Sequence, residues 1–259
     1  MIITLTTDFG ADSGYVGQMK GVLATRAPGA ALVDLSHSIP AFDISAAALL
    51  LEDCISAFPD GTTHLAIVDP GVGTGRRALA IEWKGHRFVG PDNGIFEPFL
   101  DSAAVHVIQR REIYRHPVSD VFHGRDIFAP AAAFLAKDRL PAELGPPLAD
   151  PVRLKWPEVE WEPQRLRAPI IRADSFGNLQ TRLRREYVPA DRKIQVILEQ
   201  QGGERTELPL RRAYGEVEMG ELVALWGSNG RLEIAEARGS AAKRLNFAPD
   251  ELWVEVAWS

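Results

Sequence analysis

A short stretch in the first third of the chain places a carboxylate and a guanidinium on one tight turn. Its sequence is Ile67-Val68-Asp69-Pro70-Gly71-Val72-Gly73-Thr74-Gly75-Arg76-Arg77. The apolar run before Asp69 predicts a buried strand, so Asp69 should lie at the carboxyl edge of a sheet, where α/β folds bind ligands. Pro70 restricts the backbone and the glycines allow a close backbone approach. We therefore expect Asp69 and Arg76 to face one small molecule, and this pairing indicates chemistry.

Two kinds of nucleotide-binding loop can be set aside for this stretch. Neither the phosphate loop spacing Gly-x-x-x-x-Gly-Lys-Ser/Thr nor the dinucleotide spacing Gly-x-Gly-x-x-Gly is met. The run from Ala78 to Trp83 alternates like a strand, so the turn offers no helix N-terminus to a phosphate. Taken alone, the stretch also fits a plain glycine-rich turn that Asp69 begins.

A second carboxylate follows the first predicted strand. Residues 2–7 are apolar and end in Thr7-Asp8-Phe9-Gly10, which makes Asp8 a candidate site residue. Helical spacing from Tyr15 to Leu23 and a short apolar strand from Ala31 to Leu35 then predict a βαβ opening. A second helix is predicted from Ile44 to Phe58, with Asp43 as its N-cap.

The pattern of short strands and helices continues beyond the glycine-rich turn. Strands are predicted from Phe88 to Gly90 and from Val105 to Ile108, and the whole pattern is typical of a parallel α/β sheet. The motif Phe122-His123-Gly124-Arg125-Asp126 precedes a helix predicted from Ile127 to Lys137. His123 should therefore lie on a loop next to the start of a helix.

A proline-rich stretch divides the chain. Seven of the 18 prolines fall between Pro141 and Pro169, which predicts an N-terminal α/β domain (1–150), a connector (151–168) and a C-terminal domain (169–259). Short strand-like segments in the last part predict a small β-barrel or sandwich. These segments are Ile170–Ala173, Ile194–Leu198, Leu222–Trp226, Leu232–Ala235 and Leu252–Trp258.

Composition excludes several classes of partner. The 259 residues include 29 Lys+Arg and 35 Asp+Glu, a formal net charge of -6, which disfavours binding to nucleic acid or to an anionic membrane. The longest apolar run, Ala46–Leu51, is too short to span a bilayer. A single cysteine, Cys54, fits a reducing compartment. We therefore expect a cytoplasmic protein.

Six motifs, taken in order and spacing, resemble one family. They are Thr7-Asp8-Phe9-Gly10, Val68-Asp69-Pro70-Gly71-Val72-Gly73, Pro91-Asp92-Asn93-Gly94, Phe122-His123-Gly124-Arg125-Asp126, Asp174-Ser175-Phe176-Gly177-Asn178 and Ser228-Asn229-Gly230. The chain resembles the S-adenosyl-L-methionine hydroxide adenosyltransferases, adenosine-forming hydrolases related to the fluorinase and chlorinase. The resemblance covers nearly the whole chain.

The resemblance implies an architecture and an assembly. It implies a doubly wound N-terminal α/β sandwich followed by a small C-terminal β-barrel. It also implies a homotrimer whose sites lie at subunit interfaces, between the N-terminal domain of one subunit and the barrel of the next. S-adenosyl-L-methionine would be the substrate, with no cofactor and no metal.

Site residues follow from the resemblance motif by motif. Asp69, Arg76 and His123 match the family's catalytic set, and Asp8 matches the carboxylate that holds the ribose diol. Phe42 occupies the place of an aromatic residue lying against the nucleoside. Three further residues match those that bind the methionine ammonium and carboxylate: Asp174, Asn178 and Ser228. Glu233 lies in the adjoining strand, which contacts the nucleoside.

The sequence departs from its halogenating relatives where they hold a halide. They carry hydroxyl residues at the positions of Val72 and Gly124 and a tyrosine at that of Asp69, so the resemblance implies hydrolysis. Other departures concern contacts to the adenine edge, where Arg182 and Ala237 stand in place of the usual asparagines.

Two other functions are compatible with the residues. Asp8, Asp34, His37, Asp69 and His123 could serve as metal ligands of a phosphatase-like hydrolase, although no His-x-x-x-His or Asp-x-His spacing supports it. A protein that binds S-adenosylmethionine or adenosine without turnover is the other alternative. The retention of Asp69, Arg76 and His123 together argues against it.

Overall fold

The computed structural model describes residues 1–248 and 251–259. Contacts divide the chain into two compact units, Met1–Leu154 and Lys155–Ser259. Two strands, Glu160–Glu162 and Arg165–Ala173, begin within the stretch that the sequence presents as a connector. The proline-rich stretch is thus not uniformly irregular.

The first unit is built on a six-stranded sheet in the order β2-β1-β3-β5-β4-β6. The strands are β1 (Ile2–Thr7), β2 (Ala31–Ser36), β3 (Thr63–Ile67), β4 (Ala78–Trp83), β5 (His86–Pro91) and β6 (Ala104–Val107). Strands β2, β1, β3 and β5 are parallel to one another. Asp8 and Asp69 follow β1 and β3, so both lie at the carboxyl edge of this sheet.

One strand breaks the predicted parallel pattern. Strand β4 pairs antiparallel with both β5 and β6. The cause is the two-residue turn Lys84-Gly85, whose positive φ angles of 45° and 80° suit a tight hairpin and leave no room for a crossover helix. The sheet is therefore mixed, and β4 returns the chain directly after the glycine-rich turn.

Helices cover both faces of this sheet. They are α1 (Gly14–Arg26), α2 (Ile44–Cys54) and α3 (Ala129–Leu135), with a π-helix at Gly124–Phe128 directly before α3. Short 3₁₀ turns lie at Ile55–Ala57, Glu97–Phe99, Arg111–Ile113 and Pro141–Glu143. The Asp43 side chain accepts a hydrogen bond from Ala46 N at 2.8 Å, which confirms the predicted N-cap of α2.

Two cores show how the faces are used. Leu65 and Ile67 of β3 belong to the core beneath α1 and α3, whereas the intervening Ala66 belongs to the core beneath α2. Alternate residues of a strand point to opposite faces. Burial on both faces explains the continuous apolar run of β3 and confirms the doubly wound sandwich.

The second unit is a curled, nearly closed sheet. Its strand order is β11-β10-β15-β8-β9-β14-β13-β12, with β7 beside β8. The strands are β7 (Glu160–Glu162), β8 (Arg165–Ala173), β9 (Leu179–Arg184), β10 (Ile194–Gln200), β11 (Arg205–Leu208), β12 (Leu210–Arg211), β13 (Leu222–Trp226), β14 (Arg231–Glu236) and β15 (Leu252–Trp258). The two ends approach, because β10 contacts β12 and β11 contacts β13. This confirms the predicted small barrel.

Helical structure is minor in the second unit. It consists of α4 (Ala241–Arg244) and 3₁₀ turns at Arg185–Tyr187 and Tyr214–Glu216. Strand β9 was not among the predicted strands, because its sequence LQTRLR has only two apolar residues. Its Leu179 and Leu183 nevertheless lie in the barrel core. Across residues 1–248 and 251–259, every helix is too short or too polar to cross a membrane.

Candidate active site

The turn after β3 depends on one glycine. Val72 N donates to Asp69 O at 3.2 Å and Thr74 N donates to Gly71 O at 3.2 Å, which winds the chain tightly. Gly73 has a φ of 78°, and a Cβ there would lie 2.6 Å from the carbonyl oxygen of Asp120. Any other residue would be strained and would collide with this backbone. The turn thus needs Gly73 to bring Arg76 back toward Asp69.

Asp69 and Arg76 form a buried forked ion pair. Arg76 Nε lies 2.9 Å from both carboxylate oxygens, and Arg76 Nη2 lies 2.5 Å from Asp69 Oδ2. Their side chains are only 5 % and 11 % exposed, respectively. The guanidinium also packs over the Phe128 ring, 4.9 Å from its centroid. A planar fork held on two sides has little freedom to rotate.

His123 completes this group from 47 residues further along the chain. Its Nδ1 lies 3.0 Å from Arg76 Nη2. Because arginine only donates, Nδ1 must be the accepting nitrogen, which places the ring proton on Nε2. Burial, together with the adjacent Arg76 charge, lowers the pKa of His123. The imidazole is therefore neutral near pH 7.

The strand end itself is anchored by a residue that the prediction of site residues did not include. Asn93 Nδ2 donates to the carbonyl oxygen of Val68, directly before Asp69, at 2.7 Å. Asn93 follows β5, the neighbour of β3 in the sheet. Its place in the Pro91-Asp92-Asn93-Gly94 motif is the signal that could have identified it. This bond ties the loop after β5 to the end of β3, directly before Asp69.

A cavity of about 460 Å³ adjoins the Arg76 and His123 side chains. Its walls also include Arg77, Arg111 and Tyr114. Arg77 is itself paired with Asp92 at 2.6 Å and with Asp150 at 2.9 Å. Space for water therefore exists in the first unit beside the cationic and imidazole groups.

Asp8 and Phe42 lie together at the same edge of the sheet. Phe42 N donates to Asp8 Oδ2 at 3.0 Å. Phe42 has a φ of 68°, and the residue is 69% exposed. A bulky residue in the left-handed region is strained, and such strain concentrates at functional sites. One oxygen of Asp8 is thus used to hold the strained loop, and the exposed ring is available to a ligand.

Gly124 occupies a crowded place in the apolar core. A Cβ built on it would lie 3.3 Å from Ile67 Cδ1 and 3.3 Å from Met19 Sδ. A serine hydroxyl at this position would need these neighbours to move. The π-helix that begins here follows His123 directly, so His123 precedes a helix as predicted, although that helix starts three residues earlier than Ile127.

The second unit has its own cavity, of about 440 Å³. Four predicted binding residues line it: Asp174, Asn178, Ser228 and Glu233. Glu236 and Arg238 also line it, so the lining includes three carboxylic acids and one arginine. The wall therefore carries an excess of negative charge, which suits a cationic ligand.

Asp174 and Asn178 are tied to each other. Asp174 Oδ1 accepts from the backbone N of Phe176 and of Asn178, each at 2.9 Å. Asn178 Nδ2 donates to Asp174 Oδ2 at 3.0 Å. Asp174 is thus the residue that forms the turn as well as part of the cavity wall.

Glu233, which lines this cavity and is 5% exposed, meets two residues that were not predicted. Tyr214 Oη donates to Glu233 Oε1 at 2.7 Å, and Gln180 Nε2 lies 3.4 Å from Glu233 Oε2. Burial raises the pKa of Glu233, and burial with the Glu233 contact raises the pKa of Tyr214. Gln180 lies two residues after Asn178, so alternation along a strand could have found it. No local signal points to Tyr214.

The proposed metal ligands do not assemble. Asp34 pairs with Lys20 at 2.6 Å and lies 3.0 Å from His37 Nε2, whereas Asp69 pairs with Arg76. Within the described part of the chain, no three His, Cys, Asp or Glu side chains are grouped so that they could hold a metal ion. Arg182, one of the departures noted above, stacks over Trp156 at 4.5 Å.

Comparison with known proteins places this geometry in a family. The chain matches the family models described as SAM hydroxide adenosyltransferase N-terminal domain, over residues 3–145, and C-terminal domain, over residues 168–254. An (R)-S-adenosyl-L-methionine hydrolase of Thermus thermophilus is 40% identical over 93% of this chain and 94% of that protein. One of Salinispora tropica is 36% identical over 96% and 95%.

A solved structure agrees over the full length. The crystal structure of an uncharacterized conserved protein from Thermotoga maritima superposes with a TM-score of 0.90 at 31% identity, covering 99% of this chain and 100% of that one. Both family models and the relatives point the same way. The chain belongs to the SAM hydroxide adenosyltransferase family, as its motifs predicted.

Proposed function

We propose that this enzyme hydrolyses S-adenosyl-L-methionine to adenosine and L-methionine by in-line attack of water at the ribose C5′ carbon. The observation that carries the proposal is the preformed group of Asp69, Arg76 and His123, with Arg76 within 3.0 Å of both partners. The curated relatives described above are named for this hydrolysis. Hydrolysis therefore accounts for both the family and the charged group.

The chemistry requires little more than a positioned oxygen. The sulfonium makes methionine a neutral leaving group, so the carbon–sulfur bond breaks as the oxygen–carbon bond forms. The water loses one proton, which is released to the solvent with the products, and charge is neutralised as hydroxide character meets the sulfonium. A site that excludes bulk water favours such a step. No metal and no cofactor enters this reaction.

Each side chain of the first unit has a distinct part in the proposal. Asp69 orients the water, and Arg76 stabilises its hydroxide character. Within the described residues, Arg76 Nη1 has no hydrogen-bond acceptor, so its two N–H groups remain for the nucleophile. His123 Nδ1 accepts a hydrogen bond from Arg76 Nη2. It could relay a proton through that nitrogen only when this bond opens.

The remaining residues bind the substrate. Asp8 accepts from the ribose diol with the oxygen that does not hold Phe42, and the exposed Phe42 ring lies against the nucleoside. The acidic wall of the second unit, formed with Asp174 and Glu233, matches the ammonium and sulfonium charges. Asn178 and Ser228 bind the amino-acid end. Arg238 supplies a cation for the carboxylate.

The sulfonium configuration is part of the proposal. The relatives named above are (R)-S-adenosyl-L-methionine hydrolases, and we propose the same preference here. Separate incubation with each sulfonium epimer tests this. Consumption of the (S) epimer at an equal or higher rate would contradict the preference without affecting the reaction itself.

We also propose a homotrimer whose sites lie between subunits, with each barrel serving a neighbouring first unit. Mixing Asp69→Asn subunits with Asn178→Ala subunits should regenerate some sites with neither defect, whereas sites within one chain cannot be rescued in this way. Light scattering measures the assembly. A monomer at working concentration, or no recovered hydrolysis after verified subunit exchange, would contradict this proposal.

The reaction is tested by chromatography of purified protein incubated with S-adenosyl-L-methionine, with and without EDTA. We expect adenosine and methionine in equal amounts, undiminished by EDTA. In ¹⁸O-labelled water the label should appear at the 5′ oxygen of adenosine. Methylthioadenosine or S-adenosylhomocysteine as the product would exclude the proposed function.

A cytoplasmic location, proposed from the single Cys54, is tested by cell fractionation.

A further inference from the structure

A basic groove runs along α1 in the first unit, away from the residues assigned to the reaction. It consists of two adjoining cavities of about 380 Å³ and 320 Å³, which share Thr25 and Arg26 as lining residues. The first also contains the side chains of Arg115 and Arg125, and the second contains that of Lys137. Within the described residues, no carboxylate lines either cavity. This contrasts with the net charge of -6 of the whole chain.

The three guanidinium groups are held in place from behind. Arg125 Nε lies 2.7 Å from Asp126 Oδ1, and Arg115 Nη1 lies 3.2 Å from the same oxygen. Arg26 donates to the carbonyl oxygens of Ile113 and Tyr114. Asp126 is fully buried at 0% exposure. The arginines are thus already oriented, so binding costs less side-chain conformational entropy than it would for a flexible surface arginine.

Charge and donors remain unsatisfied in this arrangement. Among the described residues, Asp126 is the one carboxylate that pairs with these three arginines, so two positive charges are left over. Each guanidinium has five N–H donors, of which at most three are engaged here. Gln18 Oε1 holds Arg125 Nη1 at 2.9 Å and forms part of the cavity wall. The groove therefore presents many fixed donors and little compensating charge.

We propose that this groove binds a small phosphoryl-bearing molecule, with its phosphate against Arg26, Arg115 and Arg125. A phosphoryl group has about two negative charges and three acceptor oxygens, which suits three guanidinium groups lining one cavity better than a carboxylate does. The second cavity adds the apolar side chains of Ile113, Pro130 and Phe134. These can contact the body of such a molecule. The proposal does not depend on the hydrolytic reaction.

The test measures the binding of inorganic pyrophosphate to the full-length protein by calorimetry in metal-free buffer. Saturable binding is expected, weakening as salt is raised. Gln18→Glu keeps the acceptor for Arg125 but places a negative charge in the wall. We expect it to weaken binding by about tenfold or more. Gln201→Glu, on an exposed turn of the second unit, makes the same change in net charge and should leave binding unaltered.

A second pair of variants guards against a folding defect. Arg115→Gln removes a half-exposed groove arginine, whereas Arg153→Gln removes an arginine of similar exposure whose partners are Asp101 and Glu97. Only the first should weaken pyrophosphate binding, with equal melting temperatures for both. The proposal would be overturned by an absence of saturable binding or by equal effects of the two variants in either pair. It would also be overturned by a comparable affinity for acetate or by displacement of pyrophosphate by adenosine.

Discussion

The active-site group of the first unit and the cavity of the second unit use charge in opposite ways. In the first, Asp69 and Arg76 neutralise each other, and His123 is neutral and accepts from Arg76. In the second, three acidic side chains and one arginine line open space. Internal pairing produces fixed geometry, whereas an excess of one charge on a cavity wall produces affinity for an oppositely charged ligand. The first arrangement suits the chemical step and the second suits binding of a cation.

The two regions also differ in their response to pH. In the first unit, burial lowers the pKa of His64 to about 3 and also lowers the pKa values of His86 and His123. In the second, burial raises the pKa of Glu233. Burial thus favours the neutral form of each of these groups. Protonation of the histidines opposes folding of the first unit, whereas deprotonation of Glu233 opposes folding of the second. The stability of the first unit should therefore fall as the pH is lowered below about 6.5, whereas that of the second unit should fall as the pH is raised above about 4.5.

The largest expected effect separates chemistry from binding. Asp69→Asn, Arg76→Ala and His123→Ala should each lower turnover by about 10² or more, with adenosine affinity changed by less than about tenfold. Arg76→Lys retains the charge but not the fork and should remain impaired. Initial rates and adenosine titrations measure the two effects, with Arg153→Gln as the control. Near-normal turnover of His123→Ala would remove His123 from the catalytic group.

Acid should weaken the first unit through His64. This ring is 1% exposed, lies 2.8 Å from Thr4 Oγ1 and 3.2 Å from His86, and must stay neutral in the fold. The unfolded chain takes up a proton below about pH 6.5, so this stability is lost as pH falls from there toward 3, by about 2 kcal/mol between pH 7 and pH 5.

His64→Gln should remove this loss, whereas the exposed His116→Gln should not. Hydrogen exchange in urea at pH 7 and pH 5, read for strands β3 and β5, provides the measurement. If both variants keep the pH dependence of the unaltered protein, His64 does not control acid sensitivity.

Asp8→Ala tests the binding part of the first unit. We expect adenosine to bind about tenfold more weakly, because a charge-assisted hydrogen bond to the ribose is lost and the Phe42 loop is released. Turnover at saturating substrate should fall much less. Asp12→Ala, an exposed carboxylate on the following loop, is the matched control. A loss confined to turnover would place Asp8 in the chemical step instead.

The smallest expected effect concerns the stability of the second unit as the pH rises. Because the folded pKa of Glu233 is raised, the folded state holds its proton more tightly, and this stability is lost as pH rises above about 4.5 through the folded pKa. Glu233→Gln should flatten the dependence of the second unit's stability between pH 5 and pH 8, and exposed Glu204→Gln should not. A steeper dependence in Glu233→Gln would contradict the direction of this pKa shift.

The fold and the family were predictable wherever the signal is local. Apolar runs located β1 and β3, Asp43 predicted the start of α2, and six collinear motifs identified the family. Strand β4 was predicted from its alternating run, but its antiparallel direction was missed because an alternating run does not reveal direction. Strand β9 was missed because polar residues outnumber apolar ones in it, although Leu179 and Leu183 supply the core.

The sequence by itself determined which groups stand at strand ends and which turns could bring them close. It placed Asp8 after β1 and Asp69 after β3, because strand ends follow from apolar patterning and turn residues. Tertiary structure decided which of these groups meet. His123 contacts Arg76 across 47 residues and Tyr214 contacts Glu233 across 19. Such contacts depend on strand order and on how far a side chain is buried, and burial also sets the pKa values of His123 and Glu233.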